Sequence, residues 1–380
     1  MRKTTRRALI GGGIAAGAAL AAGSWLWPRL SKPPVGMEIP PERIARGAAL
    51  VREHPVVDVH AHPGRSFLVG AHPDSLLVRL MPDGFEAERI AGMREAGVTA
   101  SLLALVADFP VLGLGEGGLV VTRDFTPGEA WRDFGRQLQR VQALVDDGVL
   151  SLARTPGEVR AAHAAGKPVT LLGCEGADFC EGRIERIAEA HAAGARAITL
   201  LHYRTNALGD TQTSAPVHGG LTPLGRDVVR EMNRLGIIID VAHASFETVR
   251  DVVAESRAPV LLSHSDLDTW RAASPRFISL AHARTVTQAG GVIGAWPAGI
   301  GSRTLADFVE QVLILVDAVG AAHVAIGSDL DANYRPVLTE YTDFPVLAAA
   351  LLHRGLSEAD IADILGGNFL RLFDTVTSLS

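Results

Sequence analysis

Two observations predict an α/β fold of the (β/α)8 TIM-barrel type for this chain of 380 residues. Short apolar runs rich in β-branched residues recur along the chain, and a helix-compatible stretch follows each of them. Continuous apolar strands are typical of a parallel sheet covered on both faces, and eight repeats favour a closed barrel over an open sheet. The predicted strands are Val56–His62, Val98–Leu105, Pro168–Cys174, Ala195–His202, Ile237–His243, Pro259–Ser265, Gly291–Trp296 and His323–Asp329.

The composition excludes several classes of protein. Hydrophobic residues make up 47% of the chain, which is enough for a large core and excludes wholesale disorder. Residues 1–30 carry five basic groups and no acid, which leaves 31 basic and 42 acidic residues, a net charge of about −11, in the remainder. That charge argues against nucleic acid or an anionic membrane surface as the partner of the body of the protein. Two cysteines, Cys174 and Cys180, cannot form a disulfide scaffold or a four-thiolate zinc site.

The first 30 residues predict an export signal. Thr5-Arg6-Arg7 precedes an uncharged stretch, residues 8–27, and this pattern resembles a bacterial twin-arginine signal that would deliver the protein to the periplasm. The alternative is an uncleaved membrane anchor through residues 8–27 that faces the periplasm, because about twenty apolar residues can span a bilayer. We expect residues 31–50 to form a linker and first helix, and residues 51–380 to form the barrel domain.

Local signals place several helices between the strands. Pro40-Pro41-Glu42 predicts a helix start with proline in the first turn. Thr126-Pro127-Gly128-Glu129 and Ser357-Glu358-Ala359-Asp360 each predict a capping box that opens a helix. The stretch 108–167 is long for one barrel connection, so we expect an inserted hairpin or an extra helix there.

Polar residues cluster at the carboxyl ends of the predicted strands, where TIM barrels place their chemistry. A single histidine at such a position is more often a half-buried, hydrogen-bonded side chain than a ligand. Five histidines and two carboxylates together are hard to explain in that way, because burying them is unfavourable unless they bind something. Imidazole and carboxylate groups suit Zn²⁺. The set comprises His60, His62, Glu175, His202, His243, His264 and Asp329.

The spacing of these residues predicts a two-metal centre. His60 and His62 point to the same side of a strand, because side chains alternate with a period of two. His243 and His264 end consecutive strands, which lie about 4.8 Å apart, and so could share a second ion. Glu175 comes between the two pairs in the sequence, and its two oxygens could bridge the ions.

The sequence also lacks the signatures of related sites. A carboxylated lysine bridges the metals in several barrel hydrolases, but the lysines of this chain are Lys3, Lys32 and Lys167, and Lys167 precedes its strand. A His-Glu-x-x-His motif, a Gly-x-Ser-x-Gly elbow and a phosphate-binding glycine loop are also missing from the sequence. The bridging group should therefore be a carboxylate.

At these residues the sequence resembles the membrane (renal) dipeptidases, a family of zinc-dependent barrel hydrolases. The resemblance runs from about Val56 to Phe373 and is most specific in the stretches 220–225, 231–236 and 240–243. Further similar stretches are 258–265, Gly327-Ser328-Asp329 and 366–371.

The resemblance implies a dipeptidase with two Zn²⁺ per chain, a metal-bridging hydroxide as nucleophile, a small dipeptide-like substrate and a homodimeric assembly. Together with the N-terminal signal, it predicts an exported enzyme. It also implies a role for each site residue. His60 would bind one ion, Glu175 would bridge, and His243 and His264 would hold the second ion. His202 would contact the developing oxyanion, Arg276 would pair with the carboxylate of the substrate, and Asp329 would meet its amino group or accept the proton of the water.

The chain departs from the family pattern at its first metal-binding motif. His62 stands where the family usually has Asp, and Leu330 and Ala332 replace the usual Phe and Gly of the last-strand motif. Histidine remains a competent ligand, but the exchange raises the local charge by one unit. Two alternatives to a dipeptidase therefore stay open. One is a related barrel metallohydrolase for another small amide or lactone, and the other is a catalytically silent metal-binding protein.

Overall fold

The computed structural model describes residues 32–72, 75–115 and 118–380. The predicted export signal, residues 1–30, lies outside the described residues. Within those ranges no helix is both long enough and apolar enough to cross a bilayer. The strands are β1 Val57–Ala61, β2 Ala100–Val106, β3 Leu112–Gly115, β4 Gly118–Val121, β5 Leu152–Ala153, β6 Val169–Glu175, β7 Ala195–Thr199, β8 Ile238–Asp240, β9 Leu261–Ser265, β10 Val292–Ala295 and β11 Val324–Ile326.

Eight parallel strands close into a barrel, which confirms the predicted fold class. Their order around the barrel is β2-β1-β11-β10-β9-β8-β7-β6, and β2 pairs with β6 to close the ring. The closing pair is in register from Ala100 opposite Val169 to Val106 opposite Glu175. Each of the eight predicted strands contains one observed barrel strand or overlaps it closely, because buried parallel strands are recognisable as apolar runs.

Helices surround the barrel and alternate with its strands. They are α1 Pro41–Glu53, α2 Leu76–Leu80, α3 Glu86–Ala96, α4 Glu129–Asp146, α5 Pro156–Ala165, α6 Glu185–Ala192, α7 Pro223–Leu235, α8 Phe246–Glu255, α9 Leu280–Gln288, α10 Leu305–Val319, α11 Phe344–His353, α12 Glu358–Ala362 and α13 Asn368–Ser378. The first helix begins at Pro41, as predicted, and ends at Glu53, so it crosses the expected boundary between residues 50 and 51.

Side chains of the strands alternate between two hydrophobic clusters. In β2, Leu102 belongs to the cluster inside the barrel, whereas Leu103 and Leu105 pack outward against the helices. Phe369 and Phe373 of α13 join the inner cluster. Asn368 donates to the carbonyls of residues 321 and 324, just before and at the start of β11, so α13 lies at the amino end of the barrel. The opposite, carboxyl end remains available for a site.

The long segment after β2 contains the predicted insertion. Strands β3 and β4 form an antiparallel hairpin, and α4, β5 and α5 follow before β6. The predicted capping box at Ser357 is present in part, because its side chain accepts a hydrogen bond from the backbone of Asp360. Cys174 and Cys180 are both buried and free.

The prediction that Thr126 caps a helix is wrong. The N-cap of α4 is Gly128, which has a positive φ of 75° and carries no capping side chain. The left-handed turn at Gly128 separates Thr126 from the first helical turn. The Glu129 carboxylate instead accepts hydrogen bonds from the backbone and hydroxyl of Thr126, at 2.8 and 2.9 Å.

Two glycines let the last barrel strands approach β9 closely. A Cβ atom on Gly294 or on Gly327 would collide with the carbonyl oxygen of Ser263. Ser263 directly precedes the predicted ligand His264, so these glycines also fix the backbone beneath the site.

We predict that Gly294→Ala lowers the free energy of unfolding by about 1–3 kcal/mol or more, because backbone must shift to admit the methyl group. The matched control is Gly135→Ala in α4, where a Cβ meets no atom within 4 Å. Removing a helical glycine should leave that variant as stable as the wild type or more stable by up to about 1 kcal/mol. Urea denaturation measures both, and equal stability of the two variants would contradict the packing argument.

Candidate active site

The Glu175 carboxylate lies at the centre of a buried polar cluster at the carboxyl end of the barrel. Five imidazole Nε2 atoms lie 2.9–3.4 Å from its two oxygens. His60, His243 and His264 approach Oε1, and His62 and His202 approach Oε2. Each of these six residues is at most 6% exposed. The structure thus brings together all five predicted histidines and the predicted bridging carboxylate.

These side chains come from strand ends or from the residues that follow them. His60 lies in β1, Glu175 ends β6, and His264 lies in β9. His243 and Asp329 follow β8 and β11 with positive φ values of 65° and 51°. Residues other than glycine rarely adopt this conformation, and such strain is concentrated at functional sites. The strained backbone turns both side chains into the cluster.

Hydrogen bonds on the outer edges of the imidazoles orient their inner nitrogens. The Nδ1 atom of His62 lies 2.9 Å from the carbonyl oxygen of Ala104 and therefore donates to it. The hydroxyl of Ser263 contacts Nδ1 of both His60 and His264, at 3.2 and 2.9 Å. One hydroxyl can donate to only one of the two rings, so at least one ring keeps its proton on Nδ1. That ring presents a lone pair at Nε2, as metal-binding histidines do.

Burial and mutual charge set the protonation of the cluster. Burial would raise the pKa of the Glu175 carboxyl, but the surrounding imidazoles, His202 and His60 foremost, hold that pKa well below its ordinary value. Burial keeps the pKa values of His243 and His264 well below normal, so both rings are neutral. Burial opposes protonation of His62 too, but hydrogen bonds to Asp329 and Glu175 outweigh it and raise its pKa to about 10. A cation that binds His62 would therefore displace a proton.

The donor set fits metal ions. The Nε2 atom of His60 is buried and has no hydrogen-bond partner among the described residues, which is the state expected of a ligand atom aimed at an ion. Three sets of side chains bring one ligand atom each within 4.8 Å of one another: His60–Glu175–His264, His60–His62–Asp329 and Glu175–His202–His243. The second set keeps the predicted pair of His60 and His62 together, whereas the other two cut across the predicted pairs through Glu175, which lies within 3.4 Å of all five imidazoles.

A residue that the sequence argument missed orients His202. The Nδ1 atom of His202 lies 2.6 Å from the carboxylate of buried Asp108, which also accepts hydrogen bonds from the backbone of Tyr203 and Arg204. Burial lowers the pKa of His202, but Asp108 and Glu175 outweigh it and raise the pKa. Asp108 could have been found as the polar residue two positions beyond β2, which together with β10 is a barrel strand to which no site residue was assigned.

The predicted substrate-binding residues Arg276 and Asp329 lie in the same cleft. Arg276 is 5% exposed, and its Nε and Nη1 atoms have no hydrogen-bond partner among the described residues. Its guanidinium lies 5.3 Å from the ring centre of Trp296, whose Nε1 donates to Asp329 Oδ2 at 3.1 Å. Trp296, also missed by the sequence argument, thus contacts both residues and fixes their relative position.

A cavity of about 660 Å³ opens over the cluster. Its polar wall contains the predicted site residues except His60, which lies deeper. Its remaining wall is apolar and comes from the loops that follow β1 and β2.

Comparison with known proteins agrees with this geometry. The model of the membrane dipeptidase family (peptidase family M19) matches residues 44–380. The dipeptidase verJ of Clonostachys rogersoniana is 34% identical over 261 residues, which are 66% of this chain and 67% of the relative. Alignments with three further curated dipeptidases span 53–60% of those relatives.

Two solved structures share the fold. The "probable dipeptidase PvdM" of Pseudomonas aeruginosa superimposes with a TM-score of 0.74 at 21% identity, over 90% of this chain and 100% of that chain. A metallopeptidase of Rhodobacter sphaeroides, liganded with a phosphinate mimic of the dipeptide L-Ala-D-Ala, superimposes with a TM-score of 0.68 at 22% identity, over 85% and 99% of the two chains. The chain therefore belongs to the membrane dipeptidase family, peptidase family M19, whose members are metal-dependent dipeptidases.

Proposed function

We propose that the chain is an exported dipeptidase that uses two zinc ions and recognises both charged ends of its substrate. One observation carries the recognition step. The buried Arg276 lines the cavity that also contains Glu175 and Asp329, and two of its guanidinium nitrogens have no hydrogen-bond partner within the described part of the chain. A buried, unpaired guanidinium is unfavourable by itself, and a carboxylate is the group that its planar fork of donors matches. Asp329 supplies the complementary charge for a free amino group.

In this proposal His60, His62 and Glu175 would hold one ion, and Glu175, His243 and His264 would hold the other. When bound, two zinc ions supply a water acidified to a pKa near 7 and polarise the scissile carbonyl. The neighbouring carboxylates of Asp108 and Glu175 raise the pKa of His202 and so favour the ring protonated on both nitrogens. In that form His202 donates from Nδ1 to Asp108 and from Nε2 to the oxygen that becomes negative in the transition state. Asp329 accepts the proton of the attacking water and passes it to the leaving amine.

The second candidate is a barrel metallohydrolase for another small amide or lactone. The observation that favours it is His62, which replaces the Asp of the family pattern and changes the charge of the first metal site. A substrate of that kind would not need a terminal carboxylate. The dipeptide mimic bound to the Rhodobacter sphaeroides relative supports the first candidate.

Substitution of Arg276 separates these candidates. We predict that Arg276→Ala lowers kcat/KM for dipeptides by roughly 100-fold, because a charge-assisted hydrogen bond to the substrate carboxylate is lost. Arg276→Lys should recover part of this loss as a point charge. Steady-state hydrolysis of a dipeptide and its C-terminal amide measures the effect.

The amide serves as the matched control substrate. The wild type should prefer the free carboxylate, and Arg276→Ala should abolish that preference. An Arg276→Ala variant that keeps the preference would contradict the assignment. Failure of the wild type to cleave any dipeptide would shift the assignment to the amide or lactone candidate.

We predict that Asp108→Asn lowers kcat by about 10- to 100-fold with little change in KM, because His202 loses the carboxylate that orients its ring and favours its protonated form. The pH dependence of kcat should also change, since Asp108 raises the pKa of His202. The control is Asp124→Asn, which removes an exposed carboxylate that contacts Arg204. Equal kinetics of the two variants would exclude this role for Asp108.

The export proposal rests on the paired arginines Arg6 and Arg7 before the apolar stretch 8–27. We predict that changing both arginines to lysine keeps the protein in the cytoplasm of a bacterial host, because the twin-arginine signal is read as an address rather than as a charge. Fractionation of cells expressing each form provides the measurement. The same distribution for both forms would exclude this route.

A further inference from the structure

The two walls of the catalytic cavity differ in chemistry. All the titratable groups that line it, metal-binding candidates and Arg276 included, lie on the strand-end wall together with Tyr203. The facing wall consists of apolar side chains, which we call the apolar wall: Phe67, Leu77, Met81, Phe109, Leu112 and Leu119. A charged group placed against this wall would lose its hydration without gaining a partner.

The apolar wall is a small hydrophobic cluster of its own, separate from the barrel core. It is built from two loop segments, residues 63–72 and 75–81 after β1, and residues 109–115 and 118–121 after β2, the second of which includes strands β3 and β4. Loops after barrel strands set substrate preference in this fold, whereas the strands hold the chemistry. The packing of Phe67 against Phe109, with ring centres 5.3 Å apart, joins the two segments.

His62 lies at the boundary between the two walls. Its ring packs edge-on against Phe67 with the centres 5.3 Å apart, while its Nε2 lies 3.4 Å from Asp329. The His62 ring thus joins the apolar wall at Phe67 to the proposed amino-group anchor Asp329. The aspartate that the family usually has here would place a carboxylate beside Phe67 instead.

The position of the two substrate anchors decides which side chain of a dipeptide meets the apolar wall. Asp329 is close to His62. The backbone N–H of Ala332 donates a hydrogen bond to the carbonyl oxygen of Asp329, and Ala332 packs against the apolar cluster. Arg276 lies instead beside Trp296 and lines a second groove with Thr213 and Ser274, and of the six residues of the apolar wall only Leu119 lines that groove. The amino-terminal residue of a dipeptide held by Asp329 therefore lies nearer to the apolar wall.

We infer that the enzyme selects dipeptides whose amino-terminal residue has a bulky apolar side chain. The inference rests on the proposed function, because it uses Asp329 and Arg276 as the anchors of the substrate. Its energetic basis is the burial of that side chain against the apolar wall. A small side chain buries less apolar area there, and a charged side chain would lose its hydration without gaining a partner.

Hydrolysis of a short panel by the full chain with its metal bound tests the preference. We expect kcat/KM for Leu-Ala to exceed that for Ala-Ala by roughly 10- to 100-fold, and Asp-Ala and Lys-Ala to be poorer than Ala-Ala. Ala-Leu is the matched substrate of the same composition, and it should show at most a small gain over Ala-Ala. Equal rates for Leu-Ala and Ala-Ala, or a larger gain for Ala-Leu, would overturn the inference.

A pair of neighbouring variants tests the wall itself. Met81→Asp puts a carboxylate on the apolar wall and should collapse the ratio of Leu-Ala to Ala-Ala by at least about 10-fold while improving Lys-Ala relative to Leu-Ala. Leu80→Asp makes the same change at the adjacent residue, which is 39% exposed and does not line the cavity. It should keep the wild-type ratio, and an equal loss of the ratio in both variants would contradict the proposal.

The outcomes also separate the inference from the proposed function. If no dipeptide of the panel is cleaved, the proposed function fails. If all are cleaved without preference for the apolar amino-terminal residue, the dipeptidase assignment stands and the inference about the wall fails. If circular dichroism shows that Met81→Asp is misfolded, the kcat/KM values of the wild type for Leu-Ala and Ala-Leu decide the inference.

Discussion

The Glu175 carboxylate is the group on which the rest of the site depends. It ends the longest of the paired registers, β2 with β6, and it lies within 3.4 Å of five imidazoles. Those imidazoles are buried, and the Glu175 carboxylate is the anion that all five of them approach. If several of these rings were protonated, the one carboxylate that they share could not balance their positive charge. Bound metal ions would remove the need for these protons, because neutral imidazoles and carboxylates are common ligands of zinc.

A second layer makes this arrangement rigid. Ser263 orients two rings, Ala104 a third and Asp108 a fourth, and each acts on the outer nitrogen so that the inner nitrogen faces Glu175. The close approach of Gly294 and Gly327 to Ser263 ties this layer to the barrel. The chemistry of the site and the packing of the strands therefore constrain the same residues. Specificity is left to the loops that form the apolar wall.

The sequence predicts much of this arrangement, for physical reasons that also mark its limits. Buried parallel strands are apolar runs, and polar residues at their carboxyl ends converge, so the eight strands and the positions of His60, Glu175 and His264 follow from one pattern. Asp108 and Trp296 were missed because their importance lies in contacts with residues far away in the chain. The apolar wall was missed for the same reason, since it is formed by two loop segments that are separate in the sequence. The capping error at Thr126 arose because a left-handed glycine can shift the start of a helix.

The content of metal in the purified full chain tests the central claim most directly. Inductively coupled plasma mass spectrometry on the native protein, with the protein concentration measured on the same sample, gives the number of ions per chain. We predict two zinc equivalents per chain, held by ligand sets that share Glu175. One equivalent or none, in protein that is folded and was not exposed to chelator, would contradict the claim that this buried cluster is a two-metal centre.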